Sequence, residues 1–203
     1  MIEHPLELDY WEQYDLILGM DEAGRGPICG PMMVAGVIFP KGYSNDLLDD
    51  SKKLTERKRE ALYHQILEDA LWYQILCVSP KTIDEKNIYQ AAKWGMEKIA
   101  QNADAQFVLS DAMPLRETFA HEAVIKGDSK SLSIAAASIL AKVSRDHYMK
   151  KLDALFPQYG LAKHKGYPTK AHLQAIDEFG VQDFYRRSYS PVQKVLTRQL
   201  SLF

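Results

Sequence analysis

The sequence predicts a single α/β domain, a mixed sheet with helices on its faces. Apolar strand-like runs come first as a meander and then alternate with amphipathic helical segments. A chain of 203 residues suffices for one good-sized domain. Its 46% hydrophobic and 10% aromatic residues supply a packed core and exclude a disordered chain.

The elements follow in order. Residues 1–15 form an acidic, poorly patterned N-terminal arm (Glu3, Glu7, Asp9, Glu12, Asp15) that resembles neither a signal nor a transit peptide. Residues 16–21 and 31–39 read as apolar strands divided by a Gly/Pro segment. A helix is expected from Thr55 to about residue 70, with Leu62, Ile66 and Ala70 on one face. Residues 72–78 suit a third strand ended by Ser79-Pro80, and Ile88, Ala92, Met96 and Ile99 keep helical spacing within residues 85–102. Short buried strands are expected at 107–110 and 123–125. The strongest helical pattern spans about 131–156 and opens on the small-residue run Ile134-Ala135-Ala136-Ala137-Ser138, which permits close packing on a sheet. A last helix is predicted at 170–179, with Gly180 as its C-cap.

No apolar stretch approaches the roughly 18 residues needed to cross a bilayer. Cys29 and Cys77 lie in apolar runs and suit a reduced cytoplasmic interior rather than a disulfide framework. The net charge of −2 hides an asymmetry: residues 126–198 hold 13 Lys/Arg against 6 Asp/Glu, and the remainder 12 against 21. A basic C-terminal third suits a phosphate-binding face, and equally a set of solvated helix faces.

Three acidic sites share one placement, each at or just past the end of an apolar strand: Asp21-Glu22, Asp111 and Asp128. Strand ends line the ligand crevice of open α/β sheets. Carboxylates gathered there repel one another unless a cation intervenes. An all-oxygen set without Cys or a suitably spaced His fits Mg²⁺ or Mn²⁺ and not zinc. Side chains alternate along a strand, so Asp21 and Glu22 can share a site only if Gly24 and Gly26 break the strand or the longer Glu22 reaches round. Asp146 competes with Asp128 for the fourth place. It is flanked at four residues by Lys142 and Lys150, and an ion-pair ladder accounts for it. Gly24-x-Gly26 lacks the spacing of a dinucleotide fingerprint, and no Gly-Lys-Ser/Thr triplet supports a P-loop.

Together these stretches resemble the type 2 ribonuclease H family, in its bacterial ribonuclease HII branch. The matching blocks are D-E-A-G-R-G-P at 21–27, D-S-K-K-L at 50–54, S-D-A at 110–112 and K-G-D-S-K-S-L-S-I-A-A-A-S-I-L-A-K-V-S-R-D at 126–146. H-K-G-Y-P-T at 164–169 and R-R-S-Y-S-P-V at 186–192 complete a match from Leu16 to about Val192. The resemblance implies a ribonuclease H-like mixed sheet flanked by helices, with a small C-terminal helical segment, over residues 16–192. It implies that Asp21, Glu22, Asp111 and Asp128 hold two divalent ions, Mg²⁺ or Mn²⁺. Gly24, Arg25 and Gly26 would sense a ribonucleotide 2′-hydroxyl through backbone groups, and Tyr167 would contact that hydroxyl and stack on the next sugar. Ser51, Lys52 and Lys53 resemble phosphate contacts, although the two lysines equally suit an exposed helix start; Arg187 and Ser188 resemble contacts to the duplex. Ala112 stands where bacterial members more usually have Gly.

The implied activity is an endoribonuclease that cuts the RNA strand of RNA–DNA hybrids and on the 5′ side of single ribonucleotides in duplex DNA, leaving 3′-hydroxyl and 5′-phosphate ends. Two alternatives stand beside it. A ribonuclease HIII-like enzyme needs longer ribonucleotide runs and carries a sizeable N-terminal domain, where only about 15 residues precede the first strand here. A non-catalytic hybrid-binding module has no need of four acids. Residues 193–203 form a C-terminal tail ending in Gln199-Leu200-Ser201-Leu202-Phe203, which resembles the short motif by which bacterial replication and repair proteins bind the sliding clamp. Docking of this apolar tail on its own domain is the competing reading. A cytoplasmic monomer with no membrane partner is expected.

Overall fold

The computed structural model describes residues 2–48 and 54–200. A five-stranded mixed sheet has the order β3-β2-β1-β4-β5. Strands β1 (Ile17–Ala23), β2 (Met32–Ile38) and β3 (Trp72–Val78) form the antiparallel meander, and β4 (Phe107–Asp111) and β5 (His121–Val124) add in parallel beyond β1. The expected fold class is therefore observed.

Central strand β2 shows how the sequence builds two faces. Met32, Val34 and Ile38 enter one core with Ile83, Ala92, Met96 and Ile99, whereas Met33, Ala35 and Val37 enter another with Leu62, Ile66 and Ala136. Burial on both sides makes the strand continuously apolar rather than alternating. Helices α3 (Pro80–Lys86) and α4 (Ile88–Asn102) cover the first face, and α2 (Glu56–Asp69) and α5 (Leu132–Leu155) the second. The single helix expected at 85–102 is divided because Asn87, at φ 63, ends α3 while its side chain accepts from Gln90 N at 3.0 Å and caps α4.

Helix α5 lies directly on β1. A Cβ built on Gly19 would fall 2.3 Å from the backbone carbon of Ser133, so only glycine admits this crossing. The small-residue run read from the sequence is the helix's side of the same contact.

Residues 2–15 hold more order than their patterning suggests. A short helix, α1 (Glu7–Tyr10), packs Trp11 against Ile17, Phe107 and Ile134. Glu7 is buried and accepts from Ser131 Oγ at 2.6 Å, Leu132 N at 3.2 Å and Ser133 N at 2.8 Å. Ser131 Oγ in turn accepts from Ile134 N at 3.1 Å. The first-turn donors of α5 are thus satisfied, and a carboxylate sits at the positive end of a 24-residue helix.

A third cluster (Ile28, Met149, Tyr159, Leu161, Ile176, Tyr185, Val192) holds the C-terminal helical segment to the β1–β2 loop. It contains α6 (Leu161–His164), α7 (Lys170–Phe179) and α8 (Ser190–Leu200). Gly180 follows α7 at φ 82, as its reading as a cap requires. The stretch expected to be tail begins inside α8, whose Val195 and Leu196 pack in this cluster. The side chains of Gln199 and Leu200, and all of Ser201, Leu202 and Phe203, lie outside the described residues.

Replacing Glu7 by Ala removes the carboxylate that satisfies the start of α5. Unfolding in urea should show a loss of about 2 kcal/mol, and an unchanged midpoint would show that solvent serves those donors as well.

Candidate active site

The C-terminal ends of parallel strands β1 and β4 open into a cleft of about 310 Å³. The β1–β4 register pairs Met20 with Ser110, so the following residues, Asp21 and Asp111, stand side by side at the strand ends. Asp21, Glu22 and Asp111 line the cleft together with Gly24, Arg59, Ser138, Lys142 and Tyr167. Asp128 is not among the lining groups. It is buried on the helical turn Gly127–Ser129, tied to the cleft through Gly127 N, which donates to Asp111 Oδ1 at 2.8 Å.

Glu22 reaches the cleft without a break in the strand. Strand β1 continues through Ala23, and Glu22 stays in register with Val34, so the glycines do not release it. The remaining route is the length of its side chain. Glu22 Oε1 meets Arg25 Nη1 at 3.2 Å, while Asp21 Oδ1 accepts from Glu22 N at 2.7 Å.

The acids are under-neutralised. Burial, then the Glu22 and Asp111 carboxylates, raise the Asp21 pKa well above the usual carboxylate range, and a hydrogen bond from Ser138 only partly opposes this. Burial also raises that of Glu22, against the pull of Arg25. Glu22 Oε2 is buried and has no hydrogen-bond partner among the described residues. A buried carboxylate oxygen without a donor, beside a second buried acid, is costly unless a cation satisfies it. This donor set fits a hard divalent ion. Among the described residues no group of three His, Cys, Asp or Glu side chains is placed to hold a metal ion. An ion such as Mg²⁺, which keeps several waters and is held by a few carboxylates plus substrate phosphate, does not need such a group.

Helix α5 supplies groups that the sequence pattern does not single out. Ser138 bonds Asp21, and Lys142, one turn on, lines the cleft while pairing with Asp146 at 2.6 and 2.7 Å. Asp146 is thus an ion-pair partner on this helix, as expected, although it is buried and Lys150 pairs with Glu56 instead. The signal for Ser138 and Lys142 is their four-residue spacing on the helix that the small-residue run identifies. What sequence lacks is the contact at Gly19 that turns that face toward Asp21.

Beside the acids stand the other expected residues. Gly24 takes φ 103, open to glycine. A Cβ on Gly26 would lie 3.1 Å from Tyr167 Cε1, so the half-exposed Tyr167 ring rests over this loop. Two stacked histidines, 4.1 Å between ring centroids, support the Tyr167 turn. Burial pushes the pKa of His172 down to about 4, and the neutral ring donates from Nδ1 to Tyr167 O at 2.9 Å while Nε2 accepts from the Tyr185 hydroxyl at 2.9 Å. His164 Nδ1 accepts from Gly166 N at 3.2 Å.

Arg187 and Ser188 do not line the cleft: their amides donate to Asp84 on α3 at 2.8 and 2.9 Å, and Arg187 pairs with Asp183 at 3.3 Å. Ser51, Lys52 and Lys53 fall outside the described residues. Ala112 adopts φ 50, a left-handed conformation that glycine enters freely, so the exchange keeps the turn after Asp111 at the expense of some backbone strain. Of the two free cysteines, Cys29 is buried and Cys77 exposed, which corrects the apolar setting expected for the latter. No described helix is long and apolar enough to cross a membrane.

In EDTA at neutral pH, Asp21→Asn relieves the repulsion and should raise the thermal midpoint by about 2–4 °C. Millimolar Mg²⁺ should then stabilise the wild-type chain more than the variant. A variant less stable than wild type in EDTA would contradict an under-neutralised cluster.

The family model described as Ribonuclease HII matches residues 18–192. A ribonuclease HII of Francisella tularensis subsp. tularensis is 53% identical over 184 residues, covering 89% of this chain and 98% of the relative. The ribonuclease H2 of Pyrococcus horikoshii superposes with a TM-score of 0.77 at 26% identity, over 90% of this chain and 98% of that one. The ribonuclease HII solved in a PCNA complex from Archaeoglobus fulgidus gives 0.74 at 27% identity, over 86% and 95%.

Proposed function

The chain belongs to the ribonuclease HII family, and from that premise we propose which bonds it cuts and which residues cut them. Family membership makes it a metal-dependent endoribonuclease acting on RNA–DNA hybrids. The finer reading is cleavage on the 5′ side of a ribonucleotide, single ribonucleotides embedded in duplex DNA included, leaving 3′-hydroxyl and 5′-phosphate ends.

One observation carries this reading: an under-neutralised acid cleft, with the orphaned Glu22 Oε2, adjoins a glycine loop covered by a half-exposed tyrosine. Asp21, Glu22, Asp111 and Asp128 would hold two Mg²⁺ or Mn²⁺ ions, which when bound supply Lewis acidity for in-line phosphodiester displacement. Asp111 is preoriented by Gly127 N, and Asp21 by Ser138 and its neighbour's amide. Lys142 and Arg59 border the same cleft and favour a phosphate there. The amides of Arg25 and Gly26 and the ring of Tyr167 would read the ribose, since the 2′-hydroxyl is what separates RNA from DNA at one nucleotide. Ser51, Lys52 and Lys53 would add phosphate contacts.

The sliding clamp is the proposed partner, through Gln199, Leu200, Ser201, Leu202 and Phe203. The tail's resemblance to clamp-binding motifs and the PCNA complex of the Archaeoglobus relative support it. Leu202 and Phe203 would be the apolar anchors.

A labelled duplex with one embedded ribonucleotide tests the chemistry. With Mg²⁺ or Mn²⁺ the wild-type chain should nick it 5′ to the ribonucleotide, and Asp111→Asn should lower the rate about a hundredfold or more. No nick by the wild type overturns the substrate reading, and an undiminished variant overturns the site. Deleting residues 199–203 should abolish retention on an immobilised bacterial clamp and leave the nicking rate intact. Equal retention removes the clamp from the proposal.

A further inference from the structure

The loop after β1 is held by its carbonyl oxygens. Arg186 Nη2 donates to Gly24 O at 2.7 Å, Nη1 to Arg25 O at 3.1 Å and Nε to Gly30 O at 3.1 Å. The Tyr189 hydroxyl donates to the same Arg25 O at 2.7 Å and accepts from Arg186 Nη1 at 3.1 Å. Arg145 continues the row, donating to Cys29 O at 3.2 Å, Pro31 O at 3.0 Å and, in the Tyr167 turn, Lys165 O at 2.9 Å.

This is a costly way to anchor a loop. Both guanidiniums are buried, and each of these acceptors is a neutral oxygen. Burial and mutual repulsion pull the pKa of Arg145 down to about 10. An apolar core would hold a loop in place without burying two cations. What apolar packing cannot do is choose the rotation of each peptide plane.

That rotation decides where the amides point. In a trans peptide the C=O of one residue and the N–H of the next are antiparallel. Turning Gly24 O and Arg25 O inward onto Arg186 therefore turns the N–H groups of Arg25 and Gly26 the other way, away from the guanidinium. Among the described residues no acceptor takes either N–H.

We infer that Arg186 and Tyr189 are positioning residues for substrate selection: by fixing the carbonyls of Gly24 and Arg25 they aim the next two amides at the ribose 2′-hydroxyl. They touch no substrate themselves. The inference rests on the ribose-reading role proposed above for this loop, and it adds residues that the acid cleft does not contain.

Binding in EDTA, where no cleavage intervenes, separates the two ideas. Fluorescence anisotropy compares a DNA duplex carrying one ribonucleotide with the same duplex in all-deoxy form, using full-length chains. The wild type should prefer the first. Tyr189→Phe, which removes one hydroxyl and keeps the ring, should reduce that preference about fivefold, with the all-deoxy affinity and thermal midpoint unchanged. Arg186→Lys, which keeps charge but loses the fork, should reduce it further; should it not fold, Tyr189→Phe decides alone. Preference retained in Tyr189→Phe, or both affinities falling in parallel, overturns the inference. A wild type with no preference overturns the ribose-reading role itself.

Discussion

Everything at the cleft depends on one close contact, the crossing of α5 over β1 at Gly19. With no side chain between them, helix and strand approach to backbone distance, and successive turns of the helix become instruments aimed at successive parts of the site. Ser138 reaches Asp21, Lys142 enters the cleft one turn on, and Arg145 passes behind the loop that follows β1. Glu7 anchors the same helix at its start, where backbone donors would otherwise go unmet. A larger residue at position 19 would lift the helix and move all of these groups together, because a rigid helix transmits a displacement along its whole length.

A second constraint follows from the first. Close packing brings Asp21, Glu22 and Asp111 together where like charges repel, and among the described residues Glu22 Oε2 has no donor. Such an arrangement opposes folding and persists where function requires charge to be available. Lys142 is near enough to moderate it, but Asp146 engages its ammonium.

Much of this is legible in the residues. The meander, the strand–helix alternation and the small-residue start of α5 point to the sheet and its coverings, because periodicity reports burial directly. The acids are legible because polar groups closing apolar strands are rarely neutral in meaning. Less accessible are features created by contacts distant in the chain. Nothing local marks Glu7 as the cap of a helix that begins 125 residues later. Asn87 does not read as a break because the residues that keep helical spacing, Ile88, Ala92, Met96 and Ile99, all follow it and leave the exact start of the helix open. Arg145 and Arg186 look like ordinary cations in a basic third of the chain, and only the fold turns them inward.

The bonds between Arg186 and the β1 loop span 161 and 162 residues. During synthesis the strand bearing Asp21 and Glu22 precedes by that same distance the clasp that orients Gly24 and Arg25. Contacts of such long separation close late in folding, since the intervening chain must already be ordered. On the ribose-reading role proposed for this loop, the acids at the end of β1 are made long before the residues that aim the neighbouring amides.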